Sequence, residues 1–263
     1  MDIRDERIDS GRAFDWGKAS SDYARYRDIY PERFYESITG RGLCVSGQRV
    51  LDIGTGTGVL PRNLYSYGAR WTATDISDNQ IIQARQMSES LGMNIDYLVS
   101  SAEELPFEDN SFDVITACQC FWYFDHKRTA PLFSRLLSEG GKAVFMMMNW
   151  LPFEDEIAQK SEELVLKFNP QWSGCGDTFH ELALPEEYLG YFDLKESFSF
   201  RLLVHFTRKS WNGRIKACRG IGASTLSEAE KAEWEKEHLA MLSAYPEEFD
   251  IAHYAAFAIL EKK

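Results

Sequence analysis

From residue 49 the chain alternates short apolar, β-branched runs with longer stretches whose apolar positions recur at helical spacing. R-V-L-D-I-G at 49–54 predicts a buried strand. V-L-P-R-N-L-Y-S-Y-G at 59–68 predicts a helix that tolerates Pro61 early, where N–H groups lack partners, and stops at Gly68. W-T-A-T-D at 71–75 is the second strand. S-D-N-Q at 77–80 opens the next helix as a capping box, with Ser77 the N-cap and Gln80 reaching back. That helix carries Ile81, Ala84, Met87 and Leu91 on one face and stops at Gly92. I-D-Y-L-V-S at 95–100 and F-D-V-I-T-A-C at 112–118 are strands three and four. Asp125 caps a helix through R-T-A-P-L-F-S-R-L-L that ends at Gly140-Gly141, and K-A-V-F-M-M-M-N is the fifth strand. Elements alternating in this way imply an α/β fold with a parallel sheet, right-handed crossovers and helices on both faces.

The flanks break this rhythm. The chain reads as one domain over 1–263, with an aromatic-rich, helical N-terminal cap over 1–45 and the alternating core over 46–150. Helical insertions over 151–192 and 206–247 form a lid, the second containing a helix opened by Ser227-x-x-Glu230. C-terminal strands cover 193–205 and 248–263.

Composition narrows the chemistry. A formal net charge of −12 argues against nucleic acid, whose phosphates demand Lys and Arg. Five cysteines without a C-x-x-C pair point to free thiols in a reducing cytoplasm and to no metal site. The N-terminus lacks the apolar stretch of a signal peptide, and no apolar run is long enough to insert in a membrane. The expectation is a cytoplasmic monomer or homodimer acting on a small molecule.

Gly54, Gly56 and Gly58 follow the first strand as G-x-G-x-G. The dinucleotide fingerprint G-x-G-x-x-G would need glycine where Val59 stands, which disfavours a nucleotide-dependent oxidoreductase. Glycines here let a ligand lie against the backbone, and the turn after the first strand is where open α/β sheets bind ligands. Asp75, closing the second strand, suits two hydrogen bonds from vicinal ribose hydroxyls. Asp52 sits beside the loop and suits a positively charged ligand. Together they indicate an adenosine-type ligand carrying a cation.

V-L-D-I-G-T-G-T-G, A-T-D, S-A-E-E-L-P-F-E-D-N-S-F-D-V-I and S-R-L-L-S-E-G-G before K-A-V-F occur in order over about 45–150. In these blocks the chain resembles class I S-adenosylmethionine-dependent methyltransferases, most nearly the UbiE-like (type 11) group. The resemblance implies a Rossmann-like, seven-stranded, mostly parallel sheet with an antiparallel last strand. It also implies S-adenosyl-L-methionine as cofactor and S-adenosyl-L-homocysteine as product. By position, Gly54, Thr55, Gly56 and Gly58 lie against the methionine part and ribose, Asp75 holds the ribose hydroxyls, and Ile76 packs on the adenine. Ser101 and Ala102, with Glu103 beside them, meet the adenine edge, and Gln80 follows on the helix after Asp75. Ser101 replaces the aspartate common at its position, so this contact is uncharged. D-Y-A-R-Y-R-D-I-Y-P at 22–31 is similar to a segment of trans-aconitate-methyltransferase-like proteins that folds over the cofactor. It brings Tyr23 and Arg27 toward the methionine carboxylate.

C-Q-C-F-W-Y-F-D-H follows the fourth strand. In the resembled family this loop borders cofactor and acceptor. Gln119 would hold the methionine ammonium through its amide oxygen. Phe121, Trp122 and Tyr123 would wall the acceptor pocket, split between inward and outward positions. Trp122 stands where such proteins often carry histidine, so that base is absent and no catalytic base is assigned. Arg219 is a further candidate, for an acceptor carboxylate. The expected activity is methyl transfer to a small molecule by in-line displacement. Non-catalytic binding of the cofactor is the alternative.

Overall fold

The computed structural model describes residues 4–263, with the side chains of Ser20, Ser21 and Tyr23 outside that description. Two helices precede the sheet: α1 (Ser20–Tyr26) and α2 (Glu32–Thr39), the latter beginning after Pro31, whose fixed φ suits a helix start. β1 (Arg49–Ile53), α3 (Val59–Asn63), β2 (Arg70–Asp75), α4 (Asp78–Ser90), β3 (Asp96–Val99), β4 (Phe112–Cys118), α5 (His126–Leu136) and β5 (Leu137–Trp150) then supply the predicted alternation. α6 (Glu156–Phe168), α7 (Glu186–Leu189), β6 (Phe192–Thr207), α8 (Arg208–Lys216), α9 (Glu228–Leu242) and β7 (Glu248–Lys262) complete the order. The sheet has seven strands in the order β3-β2-β1-β4-β5-β7-β6. β1 pairs in parallel with β2 and β4, β2 with β3, and β4 with β5. β7 runs the other way: Lys262 bonds the carbonyl of Leu137 at the start of β5, while Leu151, just past its end, bonds Ala252.

Three local expectations need correction. The α4 box is incomplete: Ser77 Oγ accepts from the Gln80 N–H at 3.4 Å, but the Ser77 N–H goes to Asp75 Oδ1 at 2.9 Å. Leu91 is 59% exposed, because α4 has ended and its buried face runs through Ile81, Ala84 and Ser88. α5 stops at Leu136 rather than at Gly140-Gly141: Leu137 already pairs with Phe112, and the ladder shifts register before Val114 meets Lys142.

The chain forms two compact units. One gathers Tyr30–Met148, His180–Phe200 and Ala255–Lys263 and holds the sheet, with Val50, Leu51, Ile115 and Phe145 fully buried. α2, assigned by sequence to the cap, belongs to this unit; Phe34 lies against Phe257 with ring centroids 4.9 Å apart.

The other unit gathers the chain up to Ile29, Asn149–Phe179 and Arg201–Tyr254. α6, α8 and α9 enclose Trp211, Trp234 and His238. The His238 ring bonds Asn212 Oδ1 at 2.8 Å and Ser161 Oγ at 3.0 Å, and burial pulls its pKa down to about 3, so it stays neutral. α9 opens with the expected Ser227–Glu230 capping box. α1 packs on α8 at Gly213, where an added Cβ would collide with the Tyr26 ring. Gly213→Ala is therefore expected to destabilise the protein by about 1–3 kcal/mol through overpacking. A urea midpoint that does not fall would mean that the ring swings aside.

Candidate active site

The bend after β1 is left-handed at Gly54 (φ +66°), Gly56 (φ +57°) and Gly58 (φ +75°). It is pinned to β2 by the Thr55 N–H bonding the Thr74 carbonyl at 2.9 Å and the Gly56 N–H bonding Asp75 Oδ2 at 2.8 Å. Side chains of the protein itself also require two of these glycines. A Cβ on Gly54 would come within 2.6 Å of Cys120 Sγ, and one on Gly58 would collide with the Tyr97 hydroxyl. The Cys120 thiol donates to the Ile53 carbonyl at 3.1 Å, and Tyr97 meets Ser88 Oγ at 2.8 Å. Neither residue stood out in the sequence. The signal for Cys120 was its place two residues beyond the end of β4, facing the first glycine across neighbouring strands.

Two carboxylates lie at this end of the sheet. Asp75 is half-buried, with one oxygen receiving Gly56 N–H and the other Ser77 N–H. Burial raises its pKa and the two N–H donors oppose the rise. Asp52 is 2% exposed and accepts from the Thr116 hydroxyl at 2.7 Å, so it is turned into the sheet toward β4. Burial pushes its pKa up to about 6, against its hydrogen bonds and with the charge of Asp75 adding to the rise. The folded state thus binds this proton more tightly than the unfolded chain, so stability falls as pH rises from about 4 through about 6 and is level above. Asp52→Asn is expected to reduce that slope in urea titrations from acid to neutral pH. An unchanged slope would assign the titration to another group.

The remaining sheet-unit candidates surround this pair. Ile76 is 37% exposed beside Asp75, whereas Gln80 is buried at 2% on α4. The Ser100 N–H bonds the Asp75 carbonyl at 3.0 Å, which sets the turn holding half-buried Ser101, buried Ala102 and half-buried Glu103. Gln119 has φ +62°, its N–H bonds the Met146 carbonyl at 3.0 Å, and its side-chain amide donates to the Met148 carbonyl. The structure thus gathers the glycines, Asp75, Ser101 and Gln119 at the C-terminal ends of adjacent strands.

A family described as a methyltransferase domain matches residues 51–145. The ubiquinone biosynthesis O-methyltransferase of Nitrosococcus oceani is 30% identical over 174 residues, 65% of this chain and 72% of that protein. The chain belongs to the class I S-adenosylmethionine-dependent methyltransferases. A second relative of this methyltransferase, the protein of the same name from Xanthomonas euvesicatoria, is 32% identical over 161 residues, 59% of this chain and 65% of its own length. This chain shares its fold with a phosphoethanolamine N-methyltransferase from Haemonchus contortus, solved with phosphomonomethylethanolamine and S-adenosylhomocysteine. That structure is 20% identical with a TM-score of 0.54, covering 93% of this chain and 57% of its own. The methyltransferase uses S-adenosylmethionine as its methyl donor. Among its described residues no helix is long and apolar enough to cross a membrane.

The methyltransferase places its aromatic candidates on a short turn, Phe121–Tyr123. Phe121 is 5% exposed with its ring 5.4 Å from that of Phe145, so it is core rather than pocket wall. Trp122 and Tyr123 are half-buried. In the other unit, Arg219 pairs with Asp9 at 2.5 Å, the two side chains only 11% and 6% exposed. A carboxylate of the chain itself occupies the place expected for an acceptor's. Arg27 is half-buried just after α1. The Tyr23 side chain lies outside the described residues.

Proposed function

We propose that the methyltransferase seats S-adenosylmethionine on the bend after β1 and methylates a hydroxyl oxygen of a small molecule. The observation that carries this reading is Asp75. Its two oxygens are aimed by one backbone N–H each, which leaves lone pairs for two vicinal hydroxyls. The residues around it fit an adenosyl ligand: exposed Ile76 offers an apolar face for the base, and Ser101 and Ala102 flank its edge. Gly54, Thr55, Gly56 and Gly58 offer backbone to the methionine part. The Gln119 side-chain nitrogen is engaged with Met148, which turns its amide oxygen to the ligand's ammonium. Asp52 acts through its charge, from beneath the bend.

The cofactor, when bound, supplies a methyl carbon already activated by its sulfonium. The chain's part is to exclude water and align the acceptor, and alignment alone contributes up to about 7–11 kcal/mol. Trp122 and Tyr123 wall the acceptor, and no side chain is assigned as a base. That both relatives are O-methyltransferases by name supports oxygen as the acceptor atom. The net charge of −12 supports a small acceptor rather than nucleic acid, and the cysteines, none in a disulfide among the described residues, support a reducing, cytoplasmic location.

Calorimetry tests the seat: S-adenosylhomocysteine is expected to bind and NADH not to. Transfer of labelled methyl groups to a panel of phenols, amines and thiols tests the acceptor. Label appearing on amines and never on phenols would overturn the oxygen assignment.

A further inference from the structure

The Glu103 side chain does not turn only toward the cofactor seat. Its Oε1 accepts the backbone N–H of Asp125 at 3.0 Å. Asp125 in turn caps α5, accepting from the Lys127 N–H at 3.1 Å, and stands two residues after the Phe121–Tyr123 turn. The other end of this connection is equally fixed. The Ser100 N–H bonds the Asp75 carbonyl, the Ser100 hydroxyl bonds the carbonyls of Ser101 and Glu104, and Ala102 is buried. Hydrogen bonds at both ends, joined by the backbone of residues 100–104, thus connect Asp75 through the turn after β3 and the Glu103 carboxylate to the start of α5. A second link between the same two segments, Arg128 to Glu104 at 3.5 Å, is exposed and contributes little.

We propose that Glu103 is a positioning residue: it ties the turn that flanks the cofactor's base to the turn that carries Trp122 and Tyr123, so that filling the first site orders the second. This rests on the cofactor seat proposed above. The physical content is a coupling free energy. Cofactor binding narrows the motions of residues 100–104, and a charge-assisted hydrogen bond transmits that restriction to the Asp125 amide. The acceptor wall is then assembled mainly on the loaded protein, which protects the activated methyl group from water until it is needed.

Hydrogen exchange at the Asp125 amide tests the proposal, with S-adenosylhomocysteine as the probe. In the unaltered protein, saturation with the probe is expected to slow exchange there about tenfold. Glu103→Ala is expected to abolish this slowing at saturating probe, the saturating concentration being set for each variant by calorimetry. Glu103→Gln keeps an acceptor oxygen and is expected to restore it. A purely structural role would speed exchange equally with and without the probe. The proposal is overturned if the alanine variant, saturated with the probe, keeps the probe-dependent slowing. Failure of the unaltered protein to bind the probe, read first by calorimetry, overturns the seat and the coupling together.

Discussion

Asp75→Ala is expected to weaken S-adenosylhomocysteine binding about a hundredfold or more, the loss of two charge-assisted hydrogen bonds at about 1.5–3 kcal/mol each. The carboxylate has two tasks, and the substitution removes both. It withdraws the acceptor offered to the ligand's vicinal hydroxyls. It also strips the Gly56 and Ser77 N–H groups of their partners, so the bend and the start of α4 lose the anchor that holds them at the end of β2. Asp75→Asn keeps one acceptor oxygen and is expected to fall between the two. Calorimetry on protein whose circular dichroism is unchanged makes the measurement. A folded alanine variant with undiminished affinity would mean that the ribose is held elsewhere.

Breaking the Asp9–Arg219 pair is the second large effect. Ser173 donates both its N–H, at 2.7 Å, and its hydroxyl, at 3.0 Å, to Asp9 Oδ1, while Arg219 lies against the other oxygen. Removing either partner strands a buried charge, and Asp9→Ala or Arg219→Ala is expected to cost about 3–5 kcal/mol in urea unfolding. Replacing both, as Asp9→Leu with Arg219→Met, is expected to recover most of that loss, because the desolvation cost disappears with the charges. If Arg219 instead served the acceptor, its loss would change methyl transfer and leave the unfolding curve in place.

Arg219 also marks where sequence reading fails. Its charge was visible, but its partner sits in a distant stretch of chain that no spacing rule connects to it. The same holds at the glycine bend. Three glycines after a strand announced a ligand loop, yet two of them are also required by Cys120 and Tyr97, which arrive from β4 and β3. The strands were legible because a central parallel strand is apolar on both faces, as Val50, Leu51 and Ile53 show. The N-cap residues Ser77, Asp125 and Ser227 were legible because capping is local. Gln80 was misread because a competing local acceptor, Asp75 two residues before Ser77, took the Ser77 N–H, and the end of α5 because a tertiary partner, Phe112, drew Leu137 into the sheet.

The place of β7 has a consequence for how the chain is made. It leaves the ribosome after β6 yet lies between β5 and β6. Until it emerges, β5 has an open edge and β6 has no neighbour in the sheet. Nascent protein is therefore exposed to wrong edge pairing until Glu248–Lys262 has been made, which makes chaperone capture of stalled chains ending before Glu248 a natural outcome.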